Sequence, residues 1–178
     1  MKQLIKKILR EQEEEIIQAP PFAFFDYGWQ DVLDWADDRL FRMNGNIDLS
    51  HSNITTLGGL VEVGGNLDLW ECENLQSLGE LRSVNGVLDL RKTKIKSLDE
   101  LRVVNGHLFL SESNIETLNK LEIVNGLLAL DYCTNLKSFG NLKEIDGMLW
   151  LNGTPIVQIM TYSEVKKQIK NITDIVGY

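Results

Sequence analysis

Cysteine, histidine and proline are scarce in this chain, and basic residues are outnumbered. There are two Cys, two His and three Pro among 178 residues. Two thiols, Cys72 and Cys133, do not make a disulfide framework in a chain of this length. Lys and Arg number 18 against 26 Asp and Glu, a net charge of −8. An acidic chain repels phosphate backbones, and no long Lys/Arg run offsets this, so general nucleic-acid binding is disfavoured. No apolar run approaches the roughly 18 residues of a membrane span. Met1 to Glu15 is basic and then strongly acidic, without an uninterrupted apolar core, so it does not read as a secretory signal. A cytoplasmic protein, or one of a particle assembled in a cytosol, is expected. With 43% apolar and 25% charged residues, the composition is that of one soluble globular domain with a sizeable core.

What is present is a repeat. A dipeptide ending in Gly recurs at Asn44-Gly45, Gly64-Gly65, Asn85-Gly86, Asn105-Gly106, Asn125-Gly126 and Asp146-Gly147, at a near-constant interval. These residue types tolerate positive φ, so a sharp left-handed turn into a strand is expected at each one. An alternating apolar pair follows each dipeptide: Ile47/Leu49, Leu67/Leu69, Leu88/Leu90, Leu108/Leu110, Leu128/Leu130 and Leu149/Leu151. Period two marks a strand with one buried face. Three residues later stands a small residue, Ser52, Cys72, Thr93, Ser113, Cys133 or Thr154. Further aliphatic positions follow, and the first five units close on Val63, Val84, Val104, Val124 and Ile145.

The pattern Leu-x-Leu-x-x-(Cys/Thr/Ser)-x-(x)-Leu resembles the core of leucine-rich repeats. The tail Leu142-Lys143-Glu144-Ile145-Asp146-Gly147-Met148-Leu149 resembles the receptor-L-domain variant. Similar short repeats occur in proteins of tailed bacteriophages and bacteria, and the opening Met1–Leu9 and the run Gly153-Thr154-Pro155-Ile156 have the same flavour. The resemblance spans about residues 44–160. It implies an α/β solenoid, a right-handed leucine-rich-repeat superhelix with one parallel β-sheet and helical caps at both ends, and it is nearly silent on function. The usual Asn of the repeat is replaced by Ser, Thr or Cys, so no continuous amide ladder is expected.

The rest of the chain divides accordingly. Residues 1–18 read as an amphipathic helix with Leu4, Ile5, Ile8 and Leu9 on one face and Lys2, Lys6, Lys7 and Arg10 in its basic half. Docking on a partner or on the solenoid is favoured for it over membrane contact, because Glu13-Glu14-Glu15 follows. Residues 19–25 form a Pro/Phe linker. Residues 26–43, with Trp29, Val32, Leu33 and Ala36, form a helical N-terminal cap; residues 44–160 hold six repeats, the last one partial. Residues 161–178 form a C-terminal capping helix and tail, begun by a capping box at Thr161 and Glu164.

Chemistry is sparse. Cys72 and Cys133 share a repeat position three units apart, about 14 Å at ordinary strand spacing, so they are expected as buried, unpaired thiols. His51 and His107 fall in different repeat columns, which disfavours a metal site. No nucleophile–base pair, phosphate loop or cofactor motif is found, and a non-catalytic protein without cofactor is expected.

Information gathers on the outward strand positions. The second such column runs Asp48, Asp68, Asp89, Phe109, Ala129, Trp150. The first column contributes His107, Leu127 and Met148, and the third contributes Trp70, Arg91 and Asp131. The face is therefore acidic in its N-terminal half and apolar in its C-terminal half. A protein partner is expected, with Phe109, Leu127, Met148 and Trp150 as desolvated anchors and Trp70 as a further one. Asp48, Asp68 and Asp89 would orient a basic group, with Arg91 and His107 part of the same surface. Alternatives at this stage are self-association through the face and a virion-associated structural protein attached by its first helix. Cover of the apolar patch by the first segment, Phe22, Phe24 and Phe25 included, or by the C-terminal tail also stays open, and an enzyme stands third.

Overall fold

A computed structural model describes residues 15–25 and 28–178. The inward Leu, Ile and Val of every unit lie in one continuous core along a parallel β-solenoid of about six turns. β1 (Ile17–Gln18) and β2 (Phe41–Met43) open one sheet, here sheet A, and β3 (Ile47–Asp48) opens the other, sheet B. Each later coil adds one strand to each sheet. These are β4 (Leu60–Val63) with β5 (Leu67–Asp68), β6 (Ser83–Val84) with β7 (Leu88–Asp89), and β8 (Val103–Val104) with β9 (Leu108–Phe109). β10 (Ile123–Val124) with β11 (Leu128–Ala129) and β12 (Glu144–Ile145) with β13 (Met148–Trp150) follow, and β14 (Asp174–Val176) ends sheet B beside β13.

The expectation of a single sheet is thus corrected: the described residues form two parallel seven-stranded sheets. Sheet B is the one marked by the Leu pairs. Sheet A is built from the unit ends, where Val63, Val84, Val104, Val124 and Ile145 stand in one buried column. Most of its strands are two residues long, too short to display a period of two.

A second correction concerns the Gly dipeptides. Of their glycines only Gly45 has positive φ, at +81°. At Gly65, Gly86, Gly106, Gly126 and Gly147 an added Cβ would lie 2.6–2.9 Å from the carbonyl oxygen of the corresponding glycine one coil earlier. Glycine is needed there because successive coils touch backbone to backbone, not because the chain turns left-handed. One left-handed column sits elsewhere, at His51, Glu71, Lys92, Glu112 and Tyr132, with φ of 55–62°, directly before the small residue of the first five units. Nothing in those residue types announces the conformation.

The small residues hold the turn that follows sheet B. Thr93 Oγ1 donates to Leu90 O at 2.8 Å and Thr154 Oγ1 to Leu151 O at 2.7 Å, within their own coils. Cys72 and Cys133 instead donate to Leu49 O and Leu110 O of the preceding coil, each at 3.0 Å. Both occur in the units that are one residue longer. An amide ladder does exist, but on the surface at the dipeptide position. Asn105 Nδ2 donates to Asn85 Oδ1 at 2.8 Å, and Asn125 Nδ2 to Asn105 Oδ1 at 2.9 Å.

Helix is confined, among the described residues, to three short segments and a single 3-10 turn at Phe22–Phe24. α1 (Trp29–Ala36) buries Trp29, Val32 and Ala36 against the first coil, and Trp29 Nε1 donates to Thr56 O at 3.1 Å. It is shorter than the expected 26–43, because Asp37 and Asp38 turn left-handed and Phe41–Met43 pairs into sheet A. The expected helix over residues 1–18 lies mostly outside the described residues, and its end, Ile17–Gln18, is a strand paired with Phe41–Arg42. α2 (Ile156–Ile159) and α3 (Tyr162–Gln168) follow the last coil. The capping box is present: Thr161 N–H donates to Glu164 Oε2 at 2.8 Å, and Glu164 N–H to Thr161 Oγ1 at 3.4 Å. No helix among the described residues is long and apolar enough to cross a membrane.

Candidate interaction face on sheet B

Parallel register fixes the outward row of sheet B as Asp48, Asp68, Asp89, Phe109, Ala129, Trp150, Val176, each residue paired with the next. Each aspartate ends its strand in the same way. Asp48 Oδ1 accepts from Ser50 N–H at 3.0 Å, Asp68 Oδ1 from Trp70 N–H at 2.9 Å, and Asp89 Oδ1 from Arg91 N–H at 3.0 Å. The Ser50 hydroxyl also donates to Asp48, and these two bonds hold its carboxyl below the usual aspartate range. The acidic column is therefore also a set of strand-end turns.

The centre of the face is a connected cluster. Arg91 Nε lies 3.0 Å from both carboxylate oxygens of Asp89, leaving Asp89 only 7% exposed. The same guanidinium stands 6.0 Å from the Trp70 ring centre and 5.4 Å from that of Phe109. His51 meets Trp70 edge-on at 4.5 Å, and Lys92 Nζ stands 5.8 Å from the same ring. Glu71 takes an ion pair from Lys92 at 2.8 Å, which pulls its carboxyl down, and His51 Nδ1 lies 3.2 Å from it. His107 packs on Phe109 at 5.9 Å, and its Nδ1 accepts from Leu127 N–H at 2.9 Å.

Beyond Phe109 the face is apolar. Ala129 is buried between Phe109 and Trp150, Leu127 is half-buried, and Met148 and Trp150 are each 36% exposed. Among the described residues neither Phe22 and Phe25 nor the C-terminal tail lies over this patch; most of the first segment lies outside the described residues. Phe22 and Phe25 pack on Trp29 and Trp35 at the opposite end of the solenoid. The C-terminal tail extends sheet B edgewise, with Val176 beside Trp150. Asp131 borders the patch, accepting from Asn152 N–H at 2.9 Å.

Register thus gathers Trp70, Asp89, Arg91, His107 and Phe109 into one cluster, with Leu127, Met148 and Trp150 alongside and Asp48 and Asp68 at the other end. A fourth outward column, His51, Glu71, Lys92, Glu112 and Tyr132, stands beyond the three expected from the sequence; His51 and Lys92 flank Trp70, and Glu71 joins the two. The column's signal was the same recurrence, once in every unit.

The thiols and the groove beside α1 offer little chemistry. Cys72 and Cys133 are buried and unpaired, and burial pushes the Cys133 thiol up to about 11 and raises that of Cys72 as well. A groove of about 650 Å³ runs between α1 and the first coil, lined by Phe22, Trp29, Leu33, Ile54 and polar groups. Among the described residues that line it, Asp48 is the one titratable group. Among the described residues no three His, Cys, Asp or Glu side chains are grouped to hold a metal ion. No family model matches the chain, no curated protein matches it, and no solved structure matches it.

Proposed function

We propose that this protein is a non-catalytic binding module that recognises a protein partner through the outer face of sheet B. The observation that carries the reading is the continuous row from Trp70 through Arg91 and Phe109 to Trp150 and Met148. It sets aromatic, guanidinium and apolar side chains together on an open face. Aromatic residues, Met and Arg are the types enriched in the cores of protein interfaces, and truncating such anchors commonly removes most of the binding energy. The solenoid is of the leucine-rich-repeat type in this reading, right-handed, with α1 and the α2–α3 segment serving as its end caps. A cytoplasmic setting, with a phage or bacterial source and a host or virion protein as partner, belongs to the same proposal.

Affinity capture on the intact protein tests it, with a Phe109→Asp/Trp150→Asp bait as control. A partner retained by the wild type and lost by the variant is expected. Retention by both baits would move the binding surface to another face. Self-association is the second reading, favoured by one observation. Among the described residues, the exposed large apolar side chains, Tyr132, Met148, Trp150, Ile159, Tyr162 and Tyr178, all lie in the last coils and the C-terminal segment. Light scattering over a range of concentrations separates the two.

A further inference from the structure

The outer face of sheet B is polarised along the solenoid axis. At β3 and β5 the Asp48 and Asp68 carboxylates take no ion-pair partner among the described residues, and their hydrogen bonds come from Ser50 and Trp70, two residues on in their own coils. Other walls of the solenoid are different. There Lys137 pairs with Glu116, Lys120 with Glu100 and Lys143 with Glu122, so acidic groups meet cations from neighbouring coils. At β7 the Asp89–Arg91 pair is self-neutralised and marks a boundary. From β9 to β13 the row turns apolar through Phe109, Ala129 and Trp150.

We propose that the occupant of this face is an amphipathic protein segment, basic at one end and apolar at the other. It lies along the solenoid axis with its basic end over Asp48 and Asp68 and its apolar end over Phe109 and Trp150. This rests on the reading of sheet B as the docking face. Charge complementarity fixes the direction, because reversal would set cations on Trp150 and apolar side chains on two charged carboxylates. Five strand steps of about 4.8 Å separate β3 from β13, about 24 Å in all. A helix laid along this axis repeats every ~5.4 Å, close to the strand step, so successive turns can seat between successive strands. Trp70 stands at the junction, flanked by His51, Arg91 and Lys92, where the segment passes from basic to apolar.

The test is selection from a displayed random library of 16-residue peptides against the full chain. Asp48→Asn/Asp68→Asn and Phe109→Asp/Trp150→Asp variants, checked for folding by thermal unfolding, are the comparison targets. Asn keeps the acceptor for the Ser50 and Trp70 amides, so the first variant removes charge and leaves the turns. The expected result is enrichment of sequences with Lys or Arg at one end and large apolar residues at the other. Their Kd should rise about 10-fold or more on either variant, and their binding should weaken as salt rises. Two results would overturn the polarity while leaving sheet B as the docking face. One is selected peptides with no basic bias; the other is undiminished binding to the Asn variant with loss on the Asp variant. Peptides that bind both variants like wild type, or no enrichment beyond the Phe109→Asp/Trp150→Asp target, would overturn both readings. Light scattering that shows a dimer dissolved by either variant would make the occupant a second copy and equally overturn a foreign segment.

Discussion

Replacing Gly106 by Ala puts the contact between coils to a direct test. The new Cβ would stand 2.6 Å from both the carbonyl carbon and the oxygen of Gly86 and 3.0 Å from Val87 N. Ordinary contact is about 3.5 Å, so the methyl intrudes by about 0.9 Å on backbone that has no rotamer to yield. Overpacking of a tight interior costs about 1–3 kcal/mol, and opposing backbone puts this site at the upper end. Because φ at Gly106 is not positive, Ala also restricts the unfolded chain and returns about 0.4–1 kcal/mol. The net is about 2 kcal/mol, or about 4–8 °C in Tm for a chain of this size. Gly45 is the contrast: it has φ of +81° and open space around its Cβ position, so Gly45→Ala costs about 1–2 kcal/mol from backbone conformation alone. Asn separates the two causes, since it tolerates the left-handed region and is larger than Ala. Gly45→Asn should cost less than Gly45→Ala, and Gly106→Asn at least as much as Gly106→Ala. Urea and thermal unfolding of the four variants decide it. A Gly106→Asn protein as stable as wild type would refute the stacking argument and restore a conformational role for that glycine.

Trp150→Ala should leave Tm nearly unchanged, because the side chain stands outside the core, while weakening partner binding by about 2 kcal/mol; unfolding on this change would make the patch internal. Asp68→Asn should hold or slightly raise stability by relieving repulsion from its row neighbour Asp48, whereas Asp68→Ala should cost about 1 kcal/mol through the orphaned Trp70 amide. Chemical denaturation with each variant checks both signs. The Cys133 thiol titrates higher in the folded chain than its ordinary 9.0, at about 11, so the folded state favours the neutral form. Stability from this group is therefore fully present below about pH 9 and is lost as pH rises toward about 11, on the order of 2–3 kcal/mol in all. Cys133→Thr, the residue type found at the same position in Thr93 and Thr154, should remove that part of the alkaline loss, and an unchanged pH profile would count against a buried thiol. Both native thiols should react slowly with a thiol reagent and quickly after denaturation, a contrast read by absorbance of the released chromophore.

Local patterns in the sequence carried over where each residue declares its own environment. The Leu pairs alternate visibly, and both members are buried, the first in a strand of sheet B and the second just past its end. Thr161 and Glu164 declare a helix start by themselves, because a capping box is closed within a single turn. What stayed hidden depends on neighbours a whole coil away. Sheet A could not be seen in strands as short as Ser83–Val84. The glycines gave the right positions and the wrong cause, because contact between Gly106 and Gly86 is a property of the stack. His51, Glu71, Lys92, Glu112 and Tyr132 adopt the left-handed region against their type, since the coil geometry imposes it. The candidate face was legible as outward columns. That Arg91 would bury Asp89 while reaching toward two aromatic rings could be read only from the register.

The stacked glycines and the paired columns have a further consequence, for how the chain could change its length. Each coil repeats the same contacts with the one before it, so the solenoid works as a ruler graduated in single coils. Excising one unit, such as residues 86–105, would rejoin Asn85 to Gly106 and restore every column. It would bring Asp68 beside Phe109 and remove Asp89 and Arg91 from between them. The span from the charged end to the apolar end can thus shorten or lengthen only in steps of about 4.8 Å. Insertions of one residue are absorbed instead in the loop after the small residue, as they already are after Cys72 and Cys133. In the proposed docking reading, a chain rebuilt with more or fewer coils would therefore grip a segment of different length with the same side chains, and its specificity would be set by counting.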